Sequence, residues 1–276
     1  MNSSDSGWRV VSILECFNRE EGELSAYQVS HKTGISLPTT YRIVATLAKS
    51  RFLERTNGSG KYRIGPSLYA LGSLYLSTTD MFKAAEPVAM LLNDLTKEAI
   101  NIVIRDKGNI VSIMKMESKG AFRYAAHVGG VLPAYASGCG KALLSDLTND
   151  EIDDLYPSET LPALTKKTIS TKSQLQKELE LIRKSNVSYD MEGSYDGVAA
   201  VASGIKNAKG QIVAGMSIAV PSYTINEEIL NDFSTLIKMG ARLVSYRLGF
   251  RGEEDSVCHL DEIKSWWEQK KNTKAE

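Results

Sequence analysis

Ser36, Pro38, Thr39, Thr40, Tyr41 and Arg42 crowd into seven positions, and Lys61 and Arg63 follow further on. Small hydroxyls and a guanidinium can meet base edges in a major groove, and lysine or arginine can neutralise backbone phosphates. The charge distribution points the same way. From Ala26 to Arg63 seven basic residues oppose one acid, Glu54, a net of +6, whereas the first 25 residues and residues 64–276 each sum to −3. A basic island in an otherwise acidic, overall neutral chain is a footprint for double-stranded DNA. The plainer alternative is a small helical bundle with solvated lysines and arginines. A second group of interest is Ser137-Gly138-Cys139-Gly140-Lys141-Ala142. Glycines ahead of a helix leave free backbone N–H groups near its positive end, which suits an anion, although an ordinary tight turn has the same composition. The spacing is not that of a GxxxxGK[ST] loop, so no nucleotide is expected there.

Cys139 raises an enzyme or a thiol redox sensor as the alternative, because a thiolate is favoured at a helix N-terminus. His31, His127 and His259 form no Cys/His or metal-ligand spacing. The reading is therefore no catalytic residue, no metal and no cofactor, with Cys139 a small loop residue. The three cysteines (Cys16, Cys139, Cys258) are scattered, as suits a reducing compartment. MNSSDSGW lacks the basic and apolar regions of a signal peptide, and no apolar stretch approaches the ~20 residues of a membrane span. The expectation is a cytoplasmic protein without membrane contact.

Helical spacing supplies the elements that would position the first group. Trp8, Val11, Ile13, Leu14 and Phe17 predict a first helix that Gly22 ends. Ser25 and Gln28 form a capping-box pattern opening a second helix, Ala26 to Thr33, which Gly34 closes. Ser36 caps a third, from Leu37 to Ser50, with Pro38 in its first turn. Ala26, Val29, Ile35, Tyr41, Val44 and Leu47 are the positions that pack the pair. Two such helices joined through a glycine turn make a helix-turn-helix. Two short alternating strands around Asn57-Gly58-Ser59-Gly60 add a wing. One copy of so small a unit contacts few base pairs, so two copies on an inverted-repeat operator are expected.

Leu68, Leu71, Leu74 and Tyr75 suggest a linker helix, and Met81 to Thr96 a longer one. Strands are predicted at residues 100–104, 110–116, 122–128, 187–190, 198–206 and 211–220, with helices opening at Thr171 and Asn226. Meandering strands with helices at their ends imply an α+β sheet domain. The tail holds Leu260, Ile263, Trp266 and Trp267 at helical spacing, with self-packing as the default, and a dimer seal or partner contact as alternatives.

Over residues 8–250 the layout resembles the IclR family of bacterial transcriptional regulators. The resemblance rests on Gly34-Ile35-Ser36 with Pro38, Thr40 and Arg42, on Tyr62-Arg63-Ile64-Gly65, Leu132-Pro133, Ser137-Gly138-x-Gly140-Lys141-Ala142 and Gly215-x-Ser217-Ile218. It implies a winged helix-turn-helix (three helices plus a β-hairpin wing) over 1–67 and a linker helix over 68–81. A GAF-like α/β effector-binding domain with an antiparallel sheet follows over 82–250, then a C-terminal extension over 251–276. It also implies self-association as dimers or tetramers, repression as the common mode, and a small, often anionic metabolite as effector. Carried over from members that bind keto acids, the ligand positions are the loop amides at Gly138 and Cys139, an apolar wall at Tyr124 and Leu132, Asp190, and the Ser217 hydroxyl. Two positions depart: Ala200 replaces a thiol and Ala219 a second hydroxyl, which puts the same ligand in doubt.

Overall fold

The computed structural model describes residues 6–18, 21–252 and 259–275, and the chain divides into two units between Thr79 and Asp80. Cys258 lies outside the described residues.

The first unit holds α1 (Ser6–Glu15), α2 (Ala26–Thr33) and α3 (Leu37–Lys49). Local chemistry sets their ends. Ser25 Oγ accepts from the Gln28 amide at 3.2 Å while Gln28 Oε1 accepts from the Ser25 amide at 2.9 Å, so two otherwise orphaned donors are satisfied. Gly34, at φ 68°, turns the chain out of α2 with its N–H on the Ser30 carbonyl. Ile13, Leu24, Val29, Val44 and Leu53 are buried at the centre. The buried stripe of α3 is Thr40, Val44 and Leu47, which leaves Tyr41 one residue, about 100° of rotation, outside it. Tyr41 is accordingly 53 % exposed rather than a packing residue, and Val11 of α1 is likewise exposed. The first helix also stops at Glu15, well before Gly22. Ser36 stands at the head of α3 without capping it through its side chain: its hydroxyl donates to Thr39 Oγ1 at 3.0 Å instead.

The wing pairs β1 (Leu53–Arg55) with β2 (Tyr62–Ile64), and Leu24 exchanges two backbone hydrogen bonds with Tyr62 on the outer side. Gly65 ends it. A Cβ there would lie 2.3 Å from the Arg51 carbonyl oxygen, so only glycine admits this approach. Then α4 (Pro66–Thr78) begins, with Tyr69, Leu71, Leu74 and Tyr75 all exposed.

The second unit is built on a six-stranded antiparallel sheet. Its strands are β3 (Ala99–Asp106), β4 (Asn109–Met116), β5 (Val131–Pro133), β6 (Ser188–Met191), β7 (Val198–Lys206) and β8 (Ile212–Pro221), in the order β5-β4-β3-β8-β7-β6. One face is covered by α5 (Asp80–Thr96) and α9 (Glu227–Arg247), where Gly240 lets Val88, Leu92 and Met216 close in. The other face carries α6 (Gly138–Leu144), with α8 (Lys172–Ser185) behind it. Gly215 on β8 permits that packing, since a Cβ would fall 2.8 Å from the Cys139 carbonyl oxygen.

Two strand assignments need correction, and one helix was not anticipated. Residues 122–128 are an irregular loop, not a strand, because Lys115 Nζ takes the Ala126 carbonyl at 2.7 Å and the Tyr124 carbonyl at 3.4 Å, acceptors a ladder would need. Val131–Pro133, outside the predicted strands, forms the edge strand β5 against β4. The helix α7 (Asn149–Leu155) escaped notice, although Thr148 and Glu151 form a capping box visible as Thr-x-x-Glu. In the tail, α10 (Leu260–Ala275) packs on its own unit: Ile263 is fully buried, Trp267 Nε1 donates to the Leu95 carbonyl at 3.0 Å, and Lys270 pairs with Asp232 at 3.4 Å.

Candidate functional site

In the first unit, α3 turns Pro38, Tyr41, Arg42, Ala45 and Lys49 to solvent along one stripe, with Thr39 half-buried beside them. That spacing is one face of a helix. The Arg42, Lys49 and Lys61 side chains make no ion pair among the described residues. Two of the expected contacts are placed otherwise. Thr40 is fully buried and its hydroxyl donates to the Ile35 carbonyl at 3.3 Å, so it supports the turn between α2 and α3 and does not face outward. Arg63 is exposed but lies opposite Glu54 in the wing, with Nε and Nη2 each 3.0 Å from Glu54 Oε2. Ala45, a small outward position that could meet a thymine methyl, was missed in the sequence because nothing about alanine marks it. Lys32 is likewise tied, to Glu21 at 2.6 Å.

In the second unit, the face of the sheet beneath α6 gathers most of the expected ligand positions. Ser137 caps α6 by accepting from the Gly140 amide at 3.0 Å, which leaves the Gly138 and Cys139 amides at the helix start without partners among the described residues. Gly138 rests on Ala202 and Asp190; an added Cβ would come 3.3 Å from Ala202 Cβ. The Ser217 side chain lies beside the Cys139 thiol. Asp190 is buried, with Oδ1 accepting from the Gly193 amide at 2.6 Å and Oδ2 from Ser194 Oγ at 2.5 Å. Desolvation holds its carboxyl above the ordinary range, against the pull of those two donors and of Lys141. Both Asp190 oxygens therefore already staple the 190–194 turn.

Tyr124 stacks on Phe122 at 5.7 Å between ring centroids and meets Tyr195 edge-on at 5.9 Å. The three aromatics pack on Ala99, Val198, Ala200 and Ala219 beside the polar groups, and the Lys115 ammonium lies 4.4 Å over the Tyr124 ring. Burial raises the Tyr124 hydroxyl far above its usual value. Leu132 stands apart, packed with the Tyr135 and Leu143 cluster rather than with Tyr124. Lys115, Phe122 and Tyr195 were not anticipated as site residues; a strand lysine and loop aromatics carry no local pattern that distinguishes them.

The thiol chemistry fails on geometry. Cys139 is buried, and desolvation pushes its thiol up to about 12, outweighing the opposite pull of Ser217. At neutral pH it is a protonated, sheltered thiol, not a nucleophile. Among the described residues no His/Cys/Asp/Glu group could hold a metal, and no helix is long and apolar enough to cross a membrane.

A winged helix-turn-helix joined to this sheet domain has known counterparts. Residues 73–246 match the bacterial transcriptional regulator IclR C-terminal domain and residues 9–57 the IclR helix-turn-helix domain. The chain belongs to the IclR family. It is 30 % identical over 243 residues to the HTH-type transcriptional repressor AllR of Escherichia coli K12, covering 88 % of this chain and 90 % of that protein. AllR of Salmonella typhimurium matches equally well, with 89 % of its length covered. The Thermotoga maritima IclR structure aligns with a TM-score of 0.70 at 24 % identity, over 89 % of this chain and 99 % of that one. An IclR homolog from Microbacterium hydrocarbonoxydans, solved with 4-hydroxybenzoate, gives 0.75 at 21 % identity over 87 % and 97 %. These two establish the fold. Membership makes this IclR-family chain a DNA-binding transcriptional regulator and not an enzyme, and α10 lies beyond the matched C-terminal domain.

Proposed function

We propose that the protein is a repressor that binds an inverted-repeat operator as a dimer or tetramer, and that a small acid bound beneath α6 modulates that binding. The observation that carries the effector reading is the convergence of unpaired Gly138 and Cys139 amides, Ser217 and the Tyr124 ring on one face of the sheet. Amide and hydroxyl donors suit a carboxylate or keto oxygen. The remainder of the site is apolar. Ala99, Ala219 and Ala200 lie side by side across β3, β8 and β7 under the aromatic trio, so the losses at Ala200 and Ala219 convert a polar wall into an apolar strip. The ligand this favours is a small carboxylic acid with an apolar or aromatic body; the 4-hydroxybenzoate complex of the Microbacterium homolog is an example of that class. Leu132 and Asp190 serve as supports for the site in this reading. Pairing of two copies is supported by α4, whose exposed Tyr69, Leu71, Leu74 and Tyr75 are an apolar surface at the end of the DNA-binding unit.

Thermal unfolding of the full chain against panels of sugar acids, keto acids and aromatic acids tests the reading. A ligand at a hundred times its Kd stabilises by about 2.7 kcal/mol. Stabilisation by acids is expected; stabilisation only by neutral apolar compounds refutes it.

A further inference from the structure

We propose that Asn101 is an effector-contacting residue whose carboxamide N–H groups hold an acceptor oxygen of the ligand. This rests on the effector reading above. Asn101 sits in the middle of β3, opposite Ser217 of β8 and Lys115 of β4, so these side chains share one face of the sheet. The strand neighbours Ile100 and Ile102 point to the opposite face and are buried, yet Asn101 is partly exposed. Ser112 Oγ donates to Asn101 Oδ1 at 2.8 Å, which fixes the amide with its oxygen toward Ser112 and its nitrogen away. Neither N–H of Nδ2 has a protein partner among the described residues.

These donors are only partly buried and lie beside Ala99 and Ala219, so a ligand oxygen can take the place of water on them. Ser217 offers one hydroxyl from the neighbouring strand, and Ala200 and Ala219 offer no side-chain donor. Asn101 thus supplies donors that the departures at Ala200 and Ala219 remove, from the next strand over. A group rich in acceptors and lacking donors, such as a carboxylate or a keto oxygen, is the complement. A ligand hydroxyl would use it less well.

Isothermal titration of the full chain with pyruvate, D-glycerate and 4-hydroxybenzoate reads the effect. At least one acid is expected to bind the native protein. Asn101→Leu should weaken it about tenfold or more, the loss expected for a hydrogen bond to a charged group. Asn101→Asp, of the same size, should weaken it further by setting carboxylate against carboxylate. Ser112→Ala, which frees the amide to rotate, should cause a smaller loss; unfolding midpoints measured alongside identify any variant that fails to fold, and Ser112→Ala then carries the test. Native affinity in all folded variants overturns the role of Asn101 while leaving the effector site standing. Failure of all three acids to bind the native protein overturns both.

Discussion

The wing offers a prediction whose sign is opposite to that of most mutations in a DNA-binding surface. Arg63 is held by Glu54 across the β1–β2 pair, with Nε and Nη2 both 3.0 Å from Oε2 and both side chains half exposed. An exposed pair of this kind contributes about 0–1 kcal/mol, so Glu54→Ala should lower the stability of the unit by no more than that. It also removes the only acid among residues 26–63 and raises their net charge from +6 to +7. If the released Arg63 reaches one phosphate, the slope of log K against log salt steepens by about 0.9, or about 1.8 for two wings on one duplex. A fourfold drop in salt should then strengthen the variant about twelvefold more than the native protein. Fluorescence anisotropy on a labelled duplex over a salt series measures both slopes. An unchanged slope in a variant of native stability would mean that the wing does not approach the backbone and that Arg63 is a structural residue only.

On the recognition helix, Arg42→Ala should weaken operator binding by about 1–3 kcal/mol if the guanidinium reads a base edge, and should weaken all sequences alike if it touches only phosphate; binding to operator and scrambled duplexes separates the cases. Gly140→Ala would place a Cβ 2.1 Å from the Ala134 carbonyl oxygen, a backbone atom that cannot yield, so α6 must shift; a loss at the upper end of the overpacking range, about 3 kcal/mol, is expected in denaturant unfolding. Burial raises the Asp190 carboxyl, so the folded state favours its protonated form: that advantage is complete below the unfolded value and is lost as pH rises through the folded one. Asp190→Asn cannot ionise, so its stability relative to the native protein should improve between pH 4 and pH 7, as thermal midpoints at the two pH values would register; a constant difference would mean that Asp190 ionises in place without penalty.

Much of the fold was legible because local chemistry and tertiary packing agree. The Ser25/Gln28 box and Gly34 appear where composition places them, since each backbone demand has one inexpensive solution. Phase was harder. Tyr41 and Thr40 are neighbours in sequence, and which one is buried depends on the rotation of α3 against α2, which short apolar periodicity leaves within one residue. The loop at 122–128 alternates like a strand, and only the long-range clamp from Lys115 withdraws its carbonyls from the sheet. The site shows the same division. Ser217 and the 137–142 loop stand out as motifs, whereas Asn101, Lys115 and Tyr195 join them only through strand register and loop closure.

Footprinting of the purified full chain on genomic DNA fragments tests most directly that two recognition helices act together. The account predicts protection of two half-sites in inverted repeat, their centres about one helical turn or a multiple of it apart, with Arg42→Ala losing both halves at once. Protection of a lone asymmetric site, or protection that survives Arg42→Ala undiminished, would contradict it.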